Sequence, residues 1–197
     1  MYNFKWHSPV RYAENLDHVP DFKEVVNTAI DKAKTLLDVG WRLDPGADEF
    51  YDNIGLQANV TLVEAFEPNA QTFYSRNKHP DKVKVYNTDI WTFIKDTDQH
   101  FDVCIWQGGP EHVSYADFEA FLVEADKKID FLIIATPNGV FPQDALGGNT
   151  YEIHQTTWTE DLMRQYGFTC VQWQAGPDGR RIWGLMGYRK NPNLKST

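Results

Sequence analysis

Cysteine, positive charge and long apolar runs are all scarce in this 197-residue sequence. The only cysteines, Cys104 and Cys170, each lie inside an apolar stretch (FDVCIW and FTCVQW). A disulfide-rich scaffold is therefore excluded; a single bridge between the two is one reading, and the favoured one is a pair of reduced core thiols in a cytoplasmic, reducing compartment. Lysine and arginine total 19 against 28 acidic residues, a formal charge of −9. Nucleic-acid binding without sequence preference needs a basic face that displaces counterions, and docking on anionic lipid needs one too, so neither partner is expected. Apolar runs such as Phe131–Ala135 (FLIIA) fall far short of the roughly 20 residues of a membrane helix. The opening segment MYNFKWHSPVRYAENLD lacks the charged start and apolar core of a signal peptide. No Gly-x-Ser-x-Gly elbow, no phosphate loop ending in Gly-Lys-Ser/Thr and no Gly-x-Gly-x-x-Gly is present. Ordinary hydrolase, nucleoside-triphosphatase and NAD-binding readings lose their support.

What is present is an alternation of strand and helix. Residues 21–33 carry apolar positions at helical spacing, with Asp21 as a candidate N-cap. Short apolar runs at 35–39, 60–66, 83–86, 101–106 and 131–135 predict five strands, and FLIIA is so apolar that both its faces must be covered. Helices are expected from Pro68 onward, over 115–128 and over 158–166; the chain closes with a hairpin of 168–174 and 182–188 around a GPDGR turn. This order predicts one α/β domain with a doubly wound, Rossmann-like, seven-stranded sheet, mostly parallel with an antiparallel C-terminal strand. Its expected boundaries are an N-terminal extension over 1–33, the domain over 34–190 and a tail over 191–197.

In an open parallel sheet, ligands bind at the carboxyl ends of the strands. Strand one delivers Asp38-Val39-Gly40, where the glycine lets a ligand approach the backbone. Strand two is expected to close on Phe66-Glu67-Pro68-Asn69; Glu67 suits the two hydroxyls of a ribose, or alternatively caps the following helix, with Glu64 as a competitor. Strand three ends in Asn87-Thr88-Asp89-Ile90, where Asp89 can accept from an exocyclic amine while Ile90 packs on a flat ring, or Asp89 can serve as an N-cap. Strand four ends in Trp106-Gln107-Gly108-Gly109-Pro110-Glu111-His112-Val113. Among the aromatics Trp41, Trp91, Trp106, Tyr151 and Trp158, only Trp41 and Trp106 sit at expected strand ends, where they could stack on an adenine or sugar.

The ordered segments DVG, FEPN, NTDI and FDVCIWQGGPEHV, followed by the closing hairpin, resemble the class I S-adenosylmethionine-dependent methyltransferases over roughly residues 34–188. The stretch ATPNGVFPQDALGGNTYEIHQTTWTEDLMRQYGFTCV is similar to a subgroup that modifies sugars, envelope components or small molecules, and FEPNAQTF to a sugar-modifying group. The resemblance implies S-adenosylmethionine as the cofactor. It places the methionine part at Asp38, Gly40 and Trp41, the ribose at Glu67, the adenine at Asp89 and Ile90, and the strand-four segment with Trp106 under the methyl. The first loop departs from the family's Asp/Glu-x-Gly-x-Gly-x-Gly, since Trp41 and Arg42 stand where small residues admit the donor. Either that loop is rebuilt around the same ligand, or the chain is a methyltransferase-like binding protein without donor chemistry. The implied acceptor is a small molecule or saccharide. A hydroxyl acceptor needs a general base, and His154 and His112 are the candidates. Glu111, His112, Asp144 and His154 match no familiar ligand spacing, so no metal is expected. Residues 139–150 and the N-terminal segment are candidate lids, with Gly139, Gly147 and Gly148 as hinges.

Overall fold

A computed structural model of the chain describes residues 20–40, 57–175 and 182–194. Helix α1 (Pro20–Lys32) leads into β1 (Thr35–Val39); β2 (Asn59–Val63), α2 (Glu67–Arg76), β3 (Val83–Tyr86) and α3 (Ile90–Asp96) follow. Strand β4 (Phe101–Gln107) runs through a 3₁₀ turn (Pro110–His112) into α4 (Tyr115–Lys128) and β5 (Ile129–Pro137). A second 3₁₀ turn (Thr150–Glu152), α5 (Glu160–Gln165), β6 (Thr169–Ala175) and β7 (Ile182–Lys190) complete the domain. The sheet has seven strands in the order β3-β2-β1-β4-β5-β7-β6. β7 alone runs against its neighbours β5 and β6, and the other pairings are parallel, as expected from the sequence.

Period-two alternation assigns each strand residue to one of two cores. Leu36, Val103, Phe131, Ile133 and Met186 pack on one face with Phe22, Val26 and Ile30 of α1 and Phe73 of α2. Their immediate neighbours Leu37, Cys104, Leu132, Ile134 and Leu185 pack on the other face with Phe93 of α3, Phe118 and Phe121 of α4, and Met163 of α5. Helix α1 is thus a layer of the domain, and the ring of Phe22 lies 5.2 Å from that of Tyr188. It begins at Pro20, so Asp21 falls in the first turn instead of at the cap; proline's fixed φ suits the first helical position. Both cysteines are free thiols in the core. Burial, with the nearby Asp38 charge adding to it, pushes the Cys104 thiol well above the usual range.

Several strand ends differ from the sequence expectation, and two of them bear on the site. Strand β2 stops at Val63, where the Glu64 carboxylate accepts from the Phe66 N–H at 2.7 Å and turns the chain out of the sheet. Glu67 consequently opens α2 instead of closing β2. Strand β5 extends to Pro137, because β7 pairs with it along its whole second half.

Candidate functional site

The strand order reverses between β1 and β4, and the crevice at their carboxyl ends is where an open α/β sheet receives its ligand. Gly40 closes β1 there with φ +79°, and its N–H donates to Val63 O at 2.8 Å. Among the described residues, a Cβ built on it meets nothing within 4 Å. Asp38, only 4% exposed, lies between the partner positions Leu62 and Ile105 on the adjacent strands.

The acids beyond β2 and β3 lie at the same end of the parallel sheet as this glycine. Glu64 is 5% exposed, whereas Glu67 stands exposed in the first turn of α2. Asn87 ties the ends of β2 and β3 together through its Nδ2, which donates to Glu64 O at 2.8 Å. Asp89 is the N-cap of α3: its Oδ1 accepts from Thr92 N at 2.7 Å and its Oδ2 from Thr92 Oγ1 at 2.9 Å. The capping role weighed from the sequence is therefore observed, and it fixes a half-buried carboxylate at the rim. Ile90 is 4% exposed and packs with Val39 and Val63.

Trp106 is placed differently from the expectation that it stacks on a ligand. Its indole is 4% exposed and wedged among Trp91, Phe118 and Phe121, with the Phe121 ring 5.0 Å away. Alternation decides this: Trp106 shares the face of Cys104, which looks into the α3–α5 core. The same indole explains Gly109, where an added Cβ would lie 1.7 Å from Trp106 Nε1. Trp158 is fully buried and Tyr151 exposed. Trp41 and Arg42 lie outside the described residues, as does the N-terminal lid candidate.

The loop after β4 and the segment after β5 are laced together. Gln155 N and Thr156 N donate to Glu111 O at 2.8 and 3.1 Å, and Gln155 Nε2 donates to His112 O at 2.6 Å. Gly139 N donates to Trp158 O at 2.7 Å, so residue 139 is pinned where the sequence suggests a hinge. This lacing brings His112 and His154 together with ring centroids 4.7 Å apart at 71°. Glu111 (3% exposed), weighed from the sequence only as a member of a metal set, and Glu152, which the sequence does not single out, stand beside them. The Glu-His pair directly after a strand was the available signal for Glu111. Asp144 is exposed and takes no part in the cluster.

No protein-family model matches the sequence, and no curated protein matches it. Solved structures do. The DhpI–S-adenosylhomocysteine complex superposes with a TM-score of 0.60 at 12% identity, covering 93% of this chain and 90% of that one. The methyltransferase domain of a bacterial Hen1 gives 0.57 at 15% identity, covering 89% and 98%. The N-terminal domain of EvdMO1, crystallised with S-adenosylhomocysteine and D-fucose, gives 0.57 at 13% identity, covering 86% and 81%. At these identities the likeness is one of fold. The chain has the seven-stranded α/β fold of the class I S-adenosylmethionine-dependent methyltransferases.

Proposed function

We propose that the protein transfers a methyl group from S-adenosylmethionine to an oxygen of a small molecule or saccharide. The observation that carries this reading is the convergence of Gly40, Glu67 and Asp89 at the carboxyl ends of β1, β2 and β3, beside the reversal of strand order. No described residue crowds the Gly40 backbone, which fits a ligand that must lie against it. Asp38 and Gly40 hold the methionine part, Glu67 the ribose hydroxyls, and Asp89 with Ile90 the adenine edge and face. S-adenosylhomocysteine in the structural neighbours, and D-fucose in one of them, support donor and acceptor class alike.

When bound, the donor supplies an electrophilic methyl on a sulfonium. The chain's own work is then mostly positioning, because orienting nucleophile against methyl converts an encounter into a near-unimolecular step. His112 and His154, across the crevice on the β4 and β5 segments, take the acceptor side, where the hydroxyl gives up its proton.

Calorimetric titration with S-adenosylmethionine and S-adenosylhomocysteine, with NAD as control, tests the reading. Micromolar binding of either sulfur ligand, abolished in Glu67→Ala, is expected. Silence at millimolar ligand would overturn it in favour of a methyltransferase-like binding protein without donor chemistry.

A further inference from the structure

The geometry points to a divalent-metal site at Glu111, His112 and His154, with Glu152 on its exposed side, contrary to the expectation from spacing alone. One ligand atom from each of Glu111, His112 and His154 lies within 4.8 Å of the others. His112 Nε2 is 4.0 Å from Glu111 Oε1 and 4.0 Å from Glu152 Oε2. Those separations exceed a hydrogen bond, and since tetrahedral ligands at about 2.1 Å from one ion lie about 3.4 Å apart, the side chains need to draw in by only about half an ångström to share it.

Both imidazoles are oriented for coordination. His112 Nδ1 faces Ile153 O at 3.4 Å, and His154 Nδ1 faces Phe141 O at 2.5 Å. A carbonyl only accepts, so the short His154 contact puts the proton on its Nδ1 and, in the neutral ring, the lone pair on Nε2; the longer His112 contact favours the same tautomer. That arrangement, a ring N–H held by a backbone carbonyl behind a ligating nitrogen, is how metal-binding histidines are fixed.

The supporting scaffold closes through the chain's own bonds. Glu111 O receives Gln155 N and Thr156 N, His154 N donates to Gln143 O at 3.0 Å, and Gln143 Nε2 donates to Glu152 O at 2.8 Å. Residues 42 positions apart in sequence are thereby locked side by side without help from an ion. Two imidazoles and one or two carboxylates, with no thiolate, suit Mn(II), Fe(II), Co(II) or Zn(II), and so few protein ligands leave positions for an exogenous oxygen.

Metal binding itself does not depend on the donor reading; the ion's use does rest on it. A hydroxyl acceptor bound to the ion loses its proton to solvent. Its oxygen lone pair forms the O–CH₃ bond, and the S–CH₃ bond breaks with the electron pair left on sulfur. His154 is then a ligand, not a free base.

The test uses tag-free, full-length protein treated with chelator and dialysed. Mn(II) is titrated with the free-ion resonance signal as readout, and Co(II) with its visible absorption. One ion per chain at micromolar affinity is expected, weakened about 10–100-fold in Glu111→Gln and His154→Ala. His100→Ala, an exposed histidine paired with Asp130 elsewhere, should leave binding unchanged. Circular dichroism of the metal-free variants checks folding, and the near-isosteric His154→Gln replaces any variant that fails. Absence of saturable uptake, or full affinity retained in folded Glu111→Gln and His154→Ala, overturns the site. S-adenosylhomocysteine titrated into the metal-free protein separates the two readings: silence there beside intact Mn(II) binding removes the donor reading and leaves the metal site.

Discussion

The two rims of the sheet are built on opposite plans. At the amino rim, polar groups satisfy one another. The Asp102 carboxylate accepts from Lys34 N at 2.7 Å and Thr35 N at 3.0 Å, while Thr35 Oγ1 accepts from Asp102 N at 3.0 Å, clasping β4 to the start of β1. Asn191 Nδ2 donates to Ile129 O at 2.8 Å and Asp126 O at 3.0 Å, and Arg189 pairs with Asp126. At the carboxyl rim the backbone turns through Gly40, Gly108 and Gly139 at positive φ. Val140, Phe141, Leu146, Tyr151 and Ile153 of the segment after β5 stand exposed, with the Phe141 ring 5.7 Å from that of His154. Among the described residues, one rim is closed on itself and the other carries the glycine and acids proposed to hold the donor, so substitutions at the two should separate stability from binding.

Gly109→Ala breaks that comparison most severely, although it lies on the binding rim. Its Cβ would collide with the buried Trp106 indole; overpacking costs about 1–3 kcal/mol or more, read as a lower midpoint in urea unfolding. Asp102→Ala comes next. Leaving two backbone N–H groups without their acceptor costs about 1–3 kcal/mol, with affinity for S-adenosylhomocysteine unchanged. Gly40→Ala should cost only about 1–2 kcal/mol for the left-handed conformation, since no described residue crowds its Cβ, yet abolish donor binding by calorimetry. Glu67→Ala, exposed at the rim, should stay within about 0.5 kcal/mol of the parent stability while donor binding collapses. A destabilised Glu67→Ala with intact affinity would invert the assignment and move the ribose to Glu64.

Asp102 also sets a pH dependence. Burial raises its pKa, but the Lys34 and Thr35 backbone N–H groups and the Thr35 hydroxyl outweigh burial and hold it below the usual carboxylate value. A folded pKa depressed below the unfolded one means that the stabilisation is fully present above about pH 4 and is lost as pH falls through the folded value. Urea unfolding between acid and neutral pH should show that loss in the parent and a shallower one in Asp102→Asn.

The fold was legible wherever patterning carried it. Strongly apolar strands such as FLIIA, separated by helix-period segments, admit few arrangements, and the helix over 115–128 coincides with α4. Strand ends were less legible, because a side chain decides where pairing stops: Glu64 takes the Phe66 N–H and moves Glu67 onto a helix. Trp106 looked like a ligand-facing residue because it sits near a strand end, but facing is set by alternation with Cys104 against the α4 core.

The sequence by itself determined the layered α/β architecture, the glycine and acids at the carboxyl rim, and the two core thiols, since each follows from local periodicity or position within an element. Only the tertiary structure decided that Glu111 and His112 meet Glu152 and His154. Their proximity depends on hydrogen bonds between the loop after β4 and the segment after β5, and no spacing along the chain encodes it.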